Sequence, residues 1–180
     1  ILMLVFLLFT IINAGTIVLC SQYLGAGRQD KFIRVGFVAL LLNLLVGLVV
    51  SVILYFGAED ILYLMGIRPE LMVYGKPYLQ IVGGFAFTQA ITTTVNTILR
   101  SADKPIYPMM VVAVVNVINI IGNYALIFGK FGMPALGSDG AAISTSLSRV
   151  ISMIVICIIL RKKLFTKIPE KLFKCFPRHE

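Results

Sequence analysis

A helix crosses the roughly 30 Å hydrocarbon layer of a bilayer in about 20 mostly apolar residues. This chain of 180 residues contains five stretches that meet or nearly meet that length: 1–23, 33–56, 78–99, 106–128 and 141–160. The breaks between them carry Gly, Pro or charge, as in Gly25-Ala26-Gly27-Arg28 and Lys104-Pro105, the residue types that turns require. Only 13% of the chain is charged and 59% is hydrophobic, with a mean hydropathy of +0.97. Soluble domains carry roughly twice that share of charge because a water-facing surface needs it. Soluble enzymes, nucleic-acid-binding modules and disordered tails are thereby excluded. The expected fold is an all-α integral membrane unit of about five transmembrane helices over 1–160, followed by a basic cytoplasmic segment at 161–180.

Of the sixteen Lys and Arg residues, which against eight Asp and Glu give a net charge of +8, all but Arg149 sort by connection. Residues 28–34, 100–104 and the tail hold twelve of them; the other connections hold three, Arg68, Lys76 and Lys130. Cytoplasmic loops accumulate cations, so the tail is expected inside, and five crossings then place residue 1 outside. An outside start within the apolar run Ile1-Leu2-Met3-Leu4-Val5-Phe6, with no basic residues before it, predicts a fragment with at least one upstream helix rather than a signal peptide. The short apolar segment 61–67, followed by Pro69, reads as an interfacial helix on the outer side. The tail alternates basic and apolar residues from Lys163 to Lys174, a pattern suited to an anionic inner leaflet. Cys20, Cys157 and Cys175 are odd in number and far apart, and His179 stands alone, so no disulfide framework or metal site is expected.

Polar groups in hydrocarbon cost several kcal/mol when unpaired, so those inside spans either join helices or line a wet cavity. The fourth span carries Asn116, Asn119 and Asn123, separated by three and four residues, a spacing that stacks three amides on one helix face. Three amides in a row need many partners, which favours a polar cavity. Asn carbonyls there can coordinate a small cation or accept hydrogen bonds. The fifth span adds Ser144, Thr145, Ser146, Ser148 and Ser152; the third adds Thr88, Gln89, Thr92, Thr93, Thr94 and Asn96. Hydroxyls also bond to their own helix backbone, so each alone says little. Arg149 falls near the middle of the last span, where a charge needs a partner or must snorkel to the interface. No Asp or Glu lies in any of the five spans.

Several of these segments together resemble one family. Ser21-Gln22-Tyr23-Leu24-Gly25-Ala26-Gly27, Leu99-Arg100-Ser101-Ala102-Asp103-Lys104-Pro105, Asn119-Ile120-Ile121-Gly122-Asn123-Tyr124-Ala125-Leu126-Ile127-Phe128-Gly129 and Lys130-Phe131-Gly132-Met133-Pro134 leading to Gly140-Ala141-Ala142 are similar to the multidrug and toxic compound extrusion (MATE) transporters. The resemblance covers nearly the whole chain, in order and spacing. It implies helices two to six of the N-terminal lobe of a twelve-helix transporter, with the first helix and the C-terminal lobe elsewhere in the same polypeptide. It implies residence in the cell membrane and export of organic, often cationic, compounds in exchange for Na+ or H+, with no cofactor and no nucleic acid partner. It also implies a cation site at Asn119, Asn123, Thr145 and Asn96, completed by an Asp on the first helix. Some family members carry Asp where Asn123 stands. Asn116 and Arg149 join the candidate set as neighbours on the same faces.

Two other readings predict different things. A lipid-linked oligosaccharide flippase of the same superfamily would need several cavity Arg or Lys residues for a pyrophosphate, where this sequence offers Arg149. A non-transporting scaffold would pair Asn116, Asn119 and Asn123 helix to helix with no space beside them. An intramembrane enzyme would need a Ser/His, paired-Asp or His/Glu set within the spans, and the sequence has none. Gly83-Gly84 is expected to serve close helix packing, or else bending, with Pro108 as a second bending point.

Overall fold

The computed structural model describes residues 2–130 and 136–164; Cys175, His179 and the basic tail from 165 onward lie outside them. Among the described residues the chain is all-helical: α1 (Leu2–Gly25), α2 (Gln29–Phe56), α3 (Ala58–Leu64), α4 (Pro69–Gly84), α5 (Ala86–Ser101), α6 (Ile106–Phe128) and α7 (Gly137–Leu164). Four of these, α1, α2, α6 and α7, are long and apolar enough to cross a membrane.

The expected span at 78–99 is not one helix. It belongs to two shorter ones, α4 and α5, divided at Phe85 directly after Gly83-Gly84. Loose backbone groups at this break find partners on neighbouring helices. The Phe87 N–H donates to Ser51 Oγ of α2 at 3.1 Å, and Ser146 Oγ of α7 donates to the Ile81 carbonyl at 3.5 Å. Breaks at membrane depth are tolerated when the backbone is satisfied in this way. Gly83 also serves packing: a Cβ there would stand 2.7 Å from Leu54 Cβ. Pro108 does not bend α6. It occupies the helix's first turn, where a missing N–H leaves no hydrogen bond unmade. The apolar run expected as a helix at 61–67 begins earlier, as α3, and ends in a turn with Gly66 at φ +70°.

The connections owe their sharpness to identifiable residues. After α1 the chain closes with Gly27 N–H on Leu24 O at 3.0 Å and Arg28 N–H on Tyr23 O at 2.9 Å, Gly27 having φ +71°. That is the paired bonding of a left-handed helix cap. Asp103, at φ +57°, builds the same cap after α5, with its N–H on Arg100 O and Lys104 N–H on Leu99 O. On the exposed surface Lys76 pairs with Glu59 at 2.5 Å, and that hydrogen bond and charge hold the Glu59 carboxyl below its ordinary range.

Helix α5 is central, packed against α1, α2 and α7, while α6 leans mainly on α7. Two apolar clusters close the ends of the bundle. One gathers Cys20, Phe32, Val95, Ile98, Leu99, Val111, Ile156 and Leu160; the other gathers Leu54, Ala58, Leu62 and Leu79. Between them lies a polar middle layer. On one side of it, Asn43 Nδ2 of α2 donates to Asn13 Oδ1 of α1 at 3.2 Å, both residues being buried. Asn43→Leu strands the Asn13 amide in an apolar contact and should cost about 1 kcal/mol of stability. Asn13→Leu/Asn43→Leu together should recover part of it, measured by thermal unfolding of the full-length protein.

Candidate functional site

On the opposite side of the polar layer, α6 and α7 pack closely because small residues face each other. A Cβ on Gly122 would lie 2.5 Å from Ser144 Oγ. That closeness brings the α6 amides against the α7 hydroxyls, which repeat every fourth residue at Ser144, Ser148 and Ser152. Asn119 Nδ2 donates to Ser148 Oγ at 3.3 Å, Ser144 Oγ donates to the backbone carbonyl of Asn119 at 3.3 Å, and Asn123 Nδ2 donates to Asn119 Oδ1 at 3.1 Å. Asn119 is therefore held from two sides. The Oδ1 atoms of Asn123 and Asn96 are buried and accept no hydrogen bond.

A cavity of about 240 Å³ opens beside this network. Asn96 of α5, Asn116 and Asn119 of α6, and Thr145, Ser148 and Arg149 of α7 line it, together with Gln89, Thr92, Ser152 and the apolar Val112 and Val115. Five of the six candidate residues thus share one wall, and Asn123 joins them through its bond to Asn119. The space is large enough to hold several waters. A buried carbonyl without a donor costs about 1–3 kcal/mol, so the free oxygen of Asn96 favours a hydrated or cation-holding space; the unpaired oxygens of Asn123 and Asn43 lie off this wall. The lining carries no carboxylate; its one formal charge is Arg149.

Most hydroxyls of α5 are occupied within their own helix. Thr88, Thr92, Thr93, Thr94, Thr97 and Ser101 donate to carbonyls three or four residues back, as hydroxyls in apolar helices do. The helix-joining account of the Asn stripe covers one of three amides: Asn119 bonds across to α7, Asn123 bonds within α6, and Asn116 is exposed at the cavity. Sequence reasoning missed the Asn13–Asn43 pair. Each is the one Asn of its helix, set in a mostly apolar stretch, and that isolation is the available signal. No group of His, Cys, Asp and Glu among the described residues can hold a metal ion.

Comparison with known proteins locates this arrangement. The family model MatE matches residues 1–125. The uncharacterized transporter YisQ of Bacillus subtilis is 38% identical over 180 residues, all of this chain and 39% of its own length. The multidrug resistance protein PmpM of Pseudomonas aeruginosa is 36% identical over 145 residues, 78% of this chain and 29% of its own. The fold superposes with TM-score 0.79 on an outward-facing multidrug resistance MATE family transporter at 20% identity, covering 94% of this chain and 39% of that one. An inward-facing structure of such a transporter superposes with TM-score 0.76 at 22% identity, covering 83% and 33%. The chain spans between 29% and 39% of the length of these relatives.

Proposed function

Because the chain belongs to the MatE family, we propose that it forms part of a cation-coupled exporter of organic compounds, working by alternating access in the cell membrane. The observation that carries this reading is the amide- and hydroxyl-bearing cavity halfway along the helices, with the Asn96 carbonyl oxygen buried and unpaired on its wall and Asn123 joined to that wall through Asn119. Family membership supports efflux. The geometry supports a place for the coupling ion.

In this reading Asn96, Asn119, Asn123 and Thr145 offer neutral oxygens to a Na+ ion, or accept hydrogen bonds from a protonated carboxyl. Neutral oxygens beside Arg149 hold a bare cation poorly, so an acid from elsewhere in the polypeptide completes the site. Ion binding then biases the balance between outward and inward states, and with it the affinity for the exported compound. A pyrophosphate-binding flippase is disfavoured because the cavity wall presents one cationic residue.

Vesicles containing the full-length protein should expel a fluorescent organic cation when a Na+ or H+ gradient is imposed, and stop when the gradient is collapsed. Vesicles containing only these 180 residues should not, since rocking requires a second lobe. Efflux indifferent to both gradients would overturn the coupling.

A further inference from the structure

Five cations gather at one corner of the bundle. Arg100 lies in the last turn of α5, Lys104 follows in the connection to α6, and Arg161, Lys162 and Lys163 fill the last turn of α7. Leu99 of α5, Val111 of α6 and Leu160 of α7 belong to one apolar cluster, so these helix ends lie at the same level. A double fastening joins segments 59 residues apart in the chain. Lys104 Nζ donates to the Lys163 carbonyl at 2.8 Å, and Lys163 Nζ stands 5.4 Å from the centre of the Tyr107 ring. The Lys104 ammonium thereby meets the partial negative charge of the last α7 carbonyls. Arg100, Arg161 and Lys163 are exposed, and Asp103 is the one acid within 99–107 and 160–164.

An apolar strip begins beside this charge. Ile106, Met109 and Met110, spaced so that they share one face of α6, are all exposed, and α6 is long and apolar enough to cross a bilayer. The strip therefore runs from the cationic corner into the hydrocarbon, with Tyr107 at the level where interfacial aromatics sit. Guanidinium and ammonium groups bind phosphate, and exposed aliphatic side chains pack against acyl chains. We propose that this corner seats one anionic phospholipid, its phosphate headgroup against Arg100, Arg161 and Lys163 and its acyl chains along Ile106, Met109 and Met110. The proposal needs only that these helices cross a bilayer, whatever the protein exports. The turn between α1 and α2 is the weaker candidate at the same end of the bundle. It carries three cations, Arg28, Lys31 and Arg34, against Asp30, and all of them come from one local segment.

The test counts lipid adducts of the purified full-length protein by native mass spectrometry, using dioleoylphosphatidylglycerol and dioleoylphosphatidylcholine, which share acyl chains and differ in net charge. The first phosphatidylglycerol should bind roughly tenfold more tightly than the first phosphatidylcholine, and raising the salt should shrink that ratio. Arg100→Gln/Arg161→Gln/Lys163→Gln should bring the ratio close to one. Arg28→Gln/Lys31→Gln/Arg34→Gln, which removes as many charges from the other turn, should leave most of it. Glycerol phosphate at the lipid's concentration should not displace the lipid; displacement would mean a phosphate site without acyl-chain contact and would overturn the proposal. Equal binding of the two lipids to the wild type would overturn it too, as would equal losses in the two triple variants, since the attraction would then be diffuse. The wild-type comparison needs no variant, so poor accumulation of either one leaves the proposal exposed.

Discussion

In the full-length transporter, Asn119→Leu/Asn123→Leu should nearly abolish cation-driven efflux while protein levels stay close to wild type. Leu fills a similar volume, so the packing of α6 against α7 largely survives. What disappears is chemistry: the Asn119 amide leaves the cavity wall and the Asn123 amide leaves the network behind it. Losing one ligand to a charged group costs about 1.5–3 kcal/mol, so ion affinity should fall roughly ten- to a hundredfold. The two positions separate by role. Asn119 also donates to Ser148 of α7, a link worth about 0.6 kcal/mol on average between membrane helices. Asn123 bonds within α6 and buries an unpaired oxygen. Asn123→Leu alone should therefore lower ion binding with little loss of stability, read by direct measurement of bound ion on purified protein. Normal efflux and normal cation dependence in the double variant would reduce the stripe to a helix joint.

The Asn stripe was legible in the sequence because its spacing of three and four is the helix period itself. Thr145 and Asn96 were reached through family resemblance, and the structure puts them on the same cavity wall. The broken helix was not legible. A hydropathy window sums over residues, and the apolar content of 78–99 conceals a joint whose cause is local: two glycines, then Phe85, then an N–H that finds Ser51 on another helix. The pair Asn13–Asn43 joins residues thirty apart in sequence, and no periodicity within either helix signals such a partner. Hydroxyl-rich α5 misleads in the other direction, since most of its Thr side chains serve their own backbone.

The joint between α4 and α5 depends on how closely α2 approaches it, and Gly47 sets that distance. A Cβ at Gly47 would lie 2.9 Å from Ala90 Cβ and 3.0 Å from Phe87 Cα. The second contact is backbone, which cannot swing aside, so a larger residue must push α5 away from α2. Ser51, one turn further along α2, accepts the Phe87 N–H at 3.1 Å and would be drawn off with it. Overpacking costs about 1–3 kcal/mol and an orphaned buried N–H a similar amount. Gly47→Leu should therefore lower stability by about 3 kcal/mol or more, seen as a lower thermal unfolding midpoint and reduced accumulation of the full-length protein. Gly15 on α1 supplies the matched control: nothing lies within 4 Å of a Cβ built there, so Gly15→Leu should unfold close to wild type. Equal unfolding midpoints for the two variants would mean that α2 and α5 do not need their close approach, and that the helix break is held by something other than Ser51.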